Sequence, residues 1–329
     1  MRNPFVFQER AVRRSCPTLI ARIKGGLGNQ LFCYAAARRL ALANDLELVI
    51  DDVTGFARDR TYQRRYGLAP FTIPCRKTTA WERMAPLERG RRAIAKWVAR
   101  KRSFDARAYV EQEGPGFDPR LLYLKPRQSL YLDGLWQDER YFADIADTLR
   151  SDLRLKLSPD PANAAIARHI SSCQSVALHM RWFESPAAIR SGRNVGALYY
   201  RQAIEKIEAD LGSPHYFVFS DDVAAAITTL ALPADRFTPV VDNRGEEGAI
   251  FDFWLMAQCR HLIMANSTFS WWAAWLGRPH GGSILMPGDV PRMRGACVWD
   301  GRKGWIVEPA ASAPGADPID TTNHLGPVQ

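Results

Sequence analysis

Four short polar strings in this 329-residue chain carry residue types suited to holding a phosphorylated ligand. The first is Gly25-Gly26-Leu27-Gly28-Asn29-Gln30. Glycines at such a place let the backbone approach a ligand, and the N–H groups opening the next helix favour an anion such as phosphate. Gly26 and Gly28 supply the G-x-G of a dinucleotide fingerprint, and Asp51-Asp52 follow at a suitable distance, but the third glycine position holds Leu31. The turn reads equally as a structural necessity. Asn29 and Gln30, two amides expected at its exposed tip, favour a ligand site.

The second string, His179-Met180-Arg181, ends the apolar run SVALHMR. Ligands of open α/β sheets bind outside the carboxyl ends of strands, and a guanidinium there suits bidentate contact with phosphate. The same Arg serves equally as a structural ion-pair partner, and His179 as a core histidine. The third string, Ser220-Asp221-Asp222, closes HYFVFSDD. Its carboxylates can accept hydrogen bonds from a base or ribose, or one of them can cap the following helix. The fourth, Asn266-Ser267-Thr268-Phe269-Ser270-Trp271-Trp272, puts hydroxyls and N–H groups at a helix mouth, with paired tryptophans behind them to pack that helix on a sheet.

The elements that must position these strings alternate between strand and helix. TLIARIK, a turn at 25–30, the helix LFCYAAARRLALAND and the strand LELVID form a βαβ opening. After the turn-rich LKLSPDPAN, read as a linker, strands SVALHMR, HYFVFSDD, FTPVVD, HLIMAN and GSILMP alternate with helices LYYRQAIEKIEADL, AAITTLA, AIFDFWLMAQCR and FSWWAAWLG. This predicts a parallel sheet wound on both faces. Two α/β domains are expected at 18–158 and 162–308, with flexible ends at 1–17 and 309–329.

The stretch Met84–Arg107 differs from the rest. Arg89, Arg91, Arg92, Lys96, Arg100, Lys101, Arg102 and Arg107 surround Leu87, Ile94, Trp97 and Val98. It reads as the solvated face of a core-packed helix or as an interfacial helix on an anionic membrane.

Composition narrows the classes. A formal charge of +9 with 47% apolar residues is an ordinary globular balance, which excludes a disordered, collagen-like or small disulfide-stapled chain. The six cysteines are scattered without ligand spacing, which argues against a zinc site and a secreted framework. No apolar run reaches the roughly 20 residues of a membrane span. The first 17 residues lack a signal-peptide core, so a cytoplasmic location is expected. A nicotinamide-dependent oxidoreductase fails on the missing third glycine. A nucleic-acid binder would need exposed aromatics among its basic residues, and the basic stretch offers little beyond Trp97.

Taken together, GGLGNQLFCYA (25–35), HMRWFE (179–184), FVFSDD (217–222) and NSTFSWWAAWL (266–276), supported by GLWQDERYF and YYRQAI, resemble the inverting α-1,2-fucosyltransferases of glycosyltransferase family 11. The resemblance spans about residues 18–308. It implies an α/β GT-B fold of two facing Rossmann-like domains, with acceptor contacts mainly in the first and GDP-fucose, without a metal, mainly in the second. By that resemblance Arg181 binds the diphosphate, His179 lies near the nucleotide, and Asp221 or Asp222 holds the guanosine. Ser267, Thr268 and adjacent N–H groups cradle phosphate, while Asn29 reaches toward the diphosphate or sugar. Gly26, Gly28, Ser220, Asn266 and Phe269 belong to the same donor-binding strings.

The family's second string commonly reads H-x-R-R-x-D, whereas this chain has Trp182 and Glu184 at the last Arg and Asp positions. Glu184 is the leading candidate for the catalytic base, ahead of Asp138 and Glu139. No D-x-D spacing stands out in the chain, in keeping with the metal-independent departure the resemblance implies. The implied acceptor is a galactose-type residue of a surface polysaccharide or oligosaccharide, lipid-linked glycans included. The basic helix near 87–103 would then touch the inner face of the plasma membrane.

Overall fold

The computed structural model describes residues 17–60, 62–114, 116–182, 195–277, 280–287 and 305–308. These fall into two compact units. One runs to Asp160 and takes in Arg244–Ile250; the other holds Pro161–Asn243 and the described residues from Phe251 onward.

In the first unit the apolar runs form short parallel strands: β1 (Thr18–Arg22), β2 (Glu47–Asp51), β3 (Arg76–Lys77), β4 (Tyr109–Glu111) and β5 (Leu130–Asp133), ordered β3-β2-β1-β5-β4. Helices α1 (Leu27–Ala43), α2 (Glu88–Arg100), α3 (Arg120–Tyr123) and α4 (Ala146–Asp152) connect or follow them. Leu31, Phe32, Tyr34, Leu40 and the alanines between them are buried along α1, making it a core helix rather than a surface one. It begins four residues before the expected Leu31. Gly26, extended at φ −70° and ψ 170°, is the N-cap, so Gly28, Asn29 and Gln30 lie in the helix and not in a loop.

The second unit holds α5 (Pro161–Ser172), β6 (Ser175–Met180), α6 (Ala197–Leu211), β7 (His215–Ser220), α7 (Val223–Leu230), β8 (Phe237–Pro239), α8 (Gly245–Gln258), β9 (His261–Ile263), α9 (Thr268–Gly277), β10 (Ile284–Pro287) and β11 (Trp305–Glu308). The opening residues of α8 belong to the first unit. Pro161 suits the first helical position, where its missing N–H costs nothing. Residues 161–163, read as linker, are therefore the first turn of α5. Asn163 is buried there and exchanges 2.9 Å side-chain hydrogen bonds with Asn243.

The second sheet is parallel throughout and ordered β11-β10-β9-β6-β7-β8. Every residue of β6 is buried, as expected for a central strand covered on both faces. The chain moves outward from β6 through β7 to β8, then returns to the other side of β6 with β9. That is the Rossmann order, and its switch point lies between β6 and β9. Val176, Leu178 and Met180 of β6 pack with Tyr199, Tyr200 and Ile204 of α6, Val218 of β7 and Ile263 of β9. Tyr200 donates from its hydroxyl to the His179 carbonyl at 3.1 Å, and the Tyr199 hydroxyl lies 3.0 Å from the carbonyls of Met264 and Leu285. Two adjacent residues of α6 thus tie it to β6, β10 and the segment after β9.

Candidate functional site

Three of the four strings meet at the carboxyl edge of the second sheet. The register aligns Leu178 with Ile263 and Met180 with Ser220, so β9, β6 and β7 end side by side. His179-Arg181, Ser220-Asp222 and Asn266-Phe269 leave these ends, the first and last flanking the switch point. Ring contact joins the two: His179 and Phe269 have centroids 5.9 Å apart, and Phe253 of α8 meets Phe269 edge-on at 5.4 Å.

Arg181 lies 3.3 Å from Asp221 Oδ2, while Asp221 Oδ1 accepts the Trp182 N–H at 2.9 Å. One carboxylate therefore fixes both the guanidinium and the backbone beside it. Asp221 is an exposed residue whose carboxylate stands against Arg181. Asp222 is the N-cap of α7, accepting the Ala225 N–H at 2.9 Å, and its own N–H donates to Ser220 Oγ at 3.1 Å. Of the two alternatives for this string, capping is realised by Asp222.

His179 is buried, and its Nδ1 has no hydrogen-bond partner among the described residues. Burial, assisted by the nearby Arg181 charge, lowers the imidazole to about 3. The ring is therefore neutral in the physiological range and offers a hydrogen bond rather than a charge. An unfolded histidine takes up a proton near pH 6.5 that the folded one refuses, so stability should fall as pH drops from about 6.5 toward 3. Relative to His179→Phe, the wild type should lose up to about 1.4 kcal/mol per pH unit in that window. Denaturant titrations of both proteins at several pH values check this, and identical pH profiles would contradict it.

At the mouth of α9, Ser267 Oγ accepts the Phe269 N–H at 3.3 Å, and the Ser267 carbonyl accepts the Trp271 N–H at 3.0 Å. Ser267 thus serves as the cap, and Thr268 is the first helical residue. Asn266 is buried; Ser267, Thr268 and Phe269 are half-buried. Trp271, Trp272 and Trp275 are buried behind the mouth in edge-on contacts of 5.2 Å, which fixes the helix axis against the sheet.

The remaining string lies in the first unit, at the switch point between β1 and β5. Gly25 has φ +79°, and a Cβ there would fall 2.7 Å from Asn29 Nδ2, so glycine is required on both counts. Gly28 is buried in the first turn of α1. The Asn29 side chain accepts from Gln137 Nε2 at 2.6 Å, joining the segments that follow β1 and β5. Gln30 corrects the expectation of an exposed amide. It is 2% exposed, donates to the Gly25 and Arg65 carbonyls at 2.9 and 2.8 Å, and accepts the Gly67 N–H at 2.8 Å. Its amide ties the glycine turn to the 65–67 loop.

Asp51 is fully buried and accepts from the Val53 and Thr54 N–H groups, the Thr54 hydroxyl and the Tyr131 hydroxyl. It therefore has no capacity left for the ribose contact a dinucleotide reading requires. Asp138, weighed as a base, is also buried and bonded to Arg140 at 2.6 Å, where it caps a short turn. Glu184 lies outside the described residues.

Two features escaped the sequence reading. Arg64 approaches the glycine turn, its Cζ 3.7 Å from where a Gly26 Cβ would stand, and pairs with Glu246 at 3.2 Å. Nothing in its string RTYQRRYG separates it from its basic neighbours. Trp182, noted only as a departure from a family pattern, packs against the apolar core of the second unit.

Comparison with known proteins adds an independent line. Residues 103–305 match the profile of Glycosyl transferase family 11. An Escherichia coli protein named O-antigen biosynthesis glycosyltransferase WbnK is 30% identical over 282 residues, 77% of this chain and 88% of that protein. An Escherichia coli alpha-1,2-colitosyltransferase is 24% identical over 276 residues, 82% of this chain and 91% of that one. Among solved structures, NodZ alpha-1,6-fucosyltransferase soaked with GDP-fucose aligns with a TM-score of 0.46 at 16% identity, over 79% of this chain and 92% of NodZ.

Proposed function

Given that the chain belongs to glycosyltransferase family 11, we propose that it transfers fucose from GDP-fucose, with inversion, to the 2-hydroxyl of a galactose-type residue in a surface polysaccharide or oligosaccharide. The observation that carries this reading is the placement of Arg181 and the α9 mouth on adjacent strand ends flanking the switch point of the second sheet. Such a place offers a diphosphate one guanidinium and a set of helix-opening N–H groups.

The chemistry follows from charge. The acceptor oxygen bonds to the sugar's anomeric carbon as the bond from that carbon to the phosphate oxygen breaks, and the electron pair leaves with GDP. Negative charge grows on the diphosphate, where Arg181, oriented by Asp221, and the N–H groups about Ser267 and Thr268 stabilise it without a metal. The acceptor proton passes to a carboxylate, for which we propose Glu184. Neutral His179 offers its unpartnered nitrogen to the nucleotide, and Ser220, Asp222, Asn266 and Phe269 complete the donor pocket.

A glycan of O-antigen type is supported by the name of the WbnK relative, and a cytoplasmic location fits such an acceptor. No helix among the described residues is long and apolar enough to cross a membrane. The name of the colitosyltransferase relative, together with Trp182 in place of a guanidinium, directs attention to donor choice.

The test is a transfer assay with GDP-fucose and GDP-colitose on a panel of galactose-terminated acceptors, with and without EDTA, followed by linkage analysis by NMR. The expected product carries α-1,2-linked fucose and forms undiminished in EDTA. Transfer of colitose alone, another linkage, or loss of activity in EDTA would each replace the corresponding part of the proposal.

A further inference from the structure

Helix α2 is oriented opposite to a soluble amphipathic helix. Its buried residue is Ala99, and Ala95 and Met84 pack with it against Ile20, Val49, Tyr109 and Tyr131. Lys96 also turns inward: it pairs with Glu111, reaches Asp133 at 3.6 Å and lies 5.6 Å over the Tyr109 ring. The large apolar side chains point the other way. Leu87 is 77% exposed, Ile94 64% and Trp97 60%, and Trp81 in the preceding segment is 76% exposed.

Positions 91, 94, 98 and 101 follow one another at steps of three and four, so Arg91, Ile94, Val98 and Lys101 form a single stripe beside Trp97, with the exposed N-cap Leu87 just ahead of the helix. The cations on this face stand against the aromatic rings rather than against carboxylates. Lys101 Nζ is 3.6 Å from the Trp97 centroid, and Arg91 Cζ is 5.2 Å from that of Trp81. Arg89, Arg91, Lys101 and Arg102 are exposed, and none makes an ion pair with a described carboxylate. From Met84 to Arg107 the chain has eight Lys or Arg against Glu88 and Asp105.

We infer that this face of α2 docks on an anionic phospholipid bilayer, with the helix lying in the headgroup plane. Charge complementarity selects that occupant. A bilayer surface provides many phosphates at no fixed geometry, which suits a ring of unpaired Arg and Lys around an apolar stripe. Tryptophan beside a cation is the pairing favoured at the boundary of headgroup and acyl chain. At 13 residues, about 20 Å, the helix is too short and too charged to cross a membrane, so its apolar side chains enter only one leaflet. The inference stands apart from the proposed glycosyl transfer and needs neither donor nor acceptor for its test. It would keep the first unit at a surface where a lipid-linked substrate is presented.

Flotation of the full chain is measured with vesicles of phosphatidylcholine alone and of phosphatidylcholine with phosphatidylglycerol, at low and high salt. Two double variants accompany it, Ile94→Ser with Trp97→Ser and Arg91→Glu with Lys101→Glu. The wild type should float with the anionic vesicles only and release in high salt. Each double variant should bind them at least about tenfold more weakly, with its melting temperature unchanged because the altered side chains are exposed. Flotation that ignores lipid charge, or variants that bind as the wild type does, would overturn the inference. A dimer in solution that Ile94→Ser with Trp97→Ser converts to a monomer, without anionic flotation by the wild type, would overturn it in favour of a second copy as the occupant.

Discussion

Arg181→Ala is expected to lower kcat/KM for glycosyl transfer by about 10²–10³-fold, with most of the loss in kcat. The guanidinium is held by Asp221 at 3.3 Å beside the switch point, so it is already oriented when the donor arrives. In the proposed role its contribution grows as charge builds on the leaving diphosphate, so turnover should suffer more than donor binding. Arg181→Lys keeps a charge but not the planar fork, and should recover only part of the rate. Asp221→Asn leaves the guanidinium in place but frees it from its carboxylate, so a smaller fall is expected. Steady-state kinetics across this series separates a charge that acts in the transition state from one that merely supports the fold.

The second large effect is on stability. Trp272 is fully buried and wedged between Trp271 and Trp275, each ring centroid 5.2 Å away. Trp272→Ala removes that packing and leaves a cavity, at a cost of about 3–5 kcal/mol. Against a total stability of roughly 5–15 kcal/mol for an ordinary domain, that is enough to unfold a large share of the molecules on warming. The mouth of α9 carries the cap Ser267 and Thr268, so the proposed donor site should be lost with the packing. Urea denaturation followed by tryptophan emission measures the loss. Trp272→Phe, which keeps an aromatic face in the stack, should lose less, and equal midpoints for the Ala variant and the wild type would contradict this account of how the site is held.

The second unit is the more legible half of the molecule because its strands are continuous apolar runs closed by polar residues. SVALHMR and HYFVFSDD become β6 and β7 with every expected site residue at or just beyond the strand end. The first unit is less legible for a physical reason. Strands β3 and β4 have two and three residues, too few to show a period, and Arg76-Lys77 carries no apolar signal at all. The start of α1 is hard to read because its cap is a glycine without a side-chain hydrogen bond, so the usual Ser, Thr or Asp marker is missing.

Side-chain fates were harder still. Asn29 and Gln30 are adjacent amides with different partners: Asn29 is half-buried and accepts from Gln137, whereas Gln30 is buried against backbone. Gln30 makes two of its three backbone hydrogen bonds to a loop some 35 residues away, a partner that local sequence cannot reveal. The orientation of α2 was equally hidden. Basic and apolar residues alternate on it so closely that only the tertiary contacts of Ala95, Lys96 and Ala99 decide which face turns inward. Asp221 and Asp222 were interchangeable as letters, and the strand geometry assigns one to Arg181 and the other to the cap of α7.

The most direct test of a diphosphate site at Arg181 and the α9 mouth is calorimetric titration of the wild type and Arg181→Ala with GDP and with GMP, in EDTA. The wild type should bind GDP at least about tenfold more tightly than GMP, a difference of about 1.4 kcal/mol, and the variant should bind the two nearly alike. Equal affinity of the wild type for GDP and GMP, or a preference for GDP that survives intact in Arg181→Ala, would contradict it.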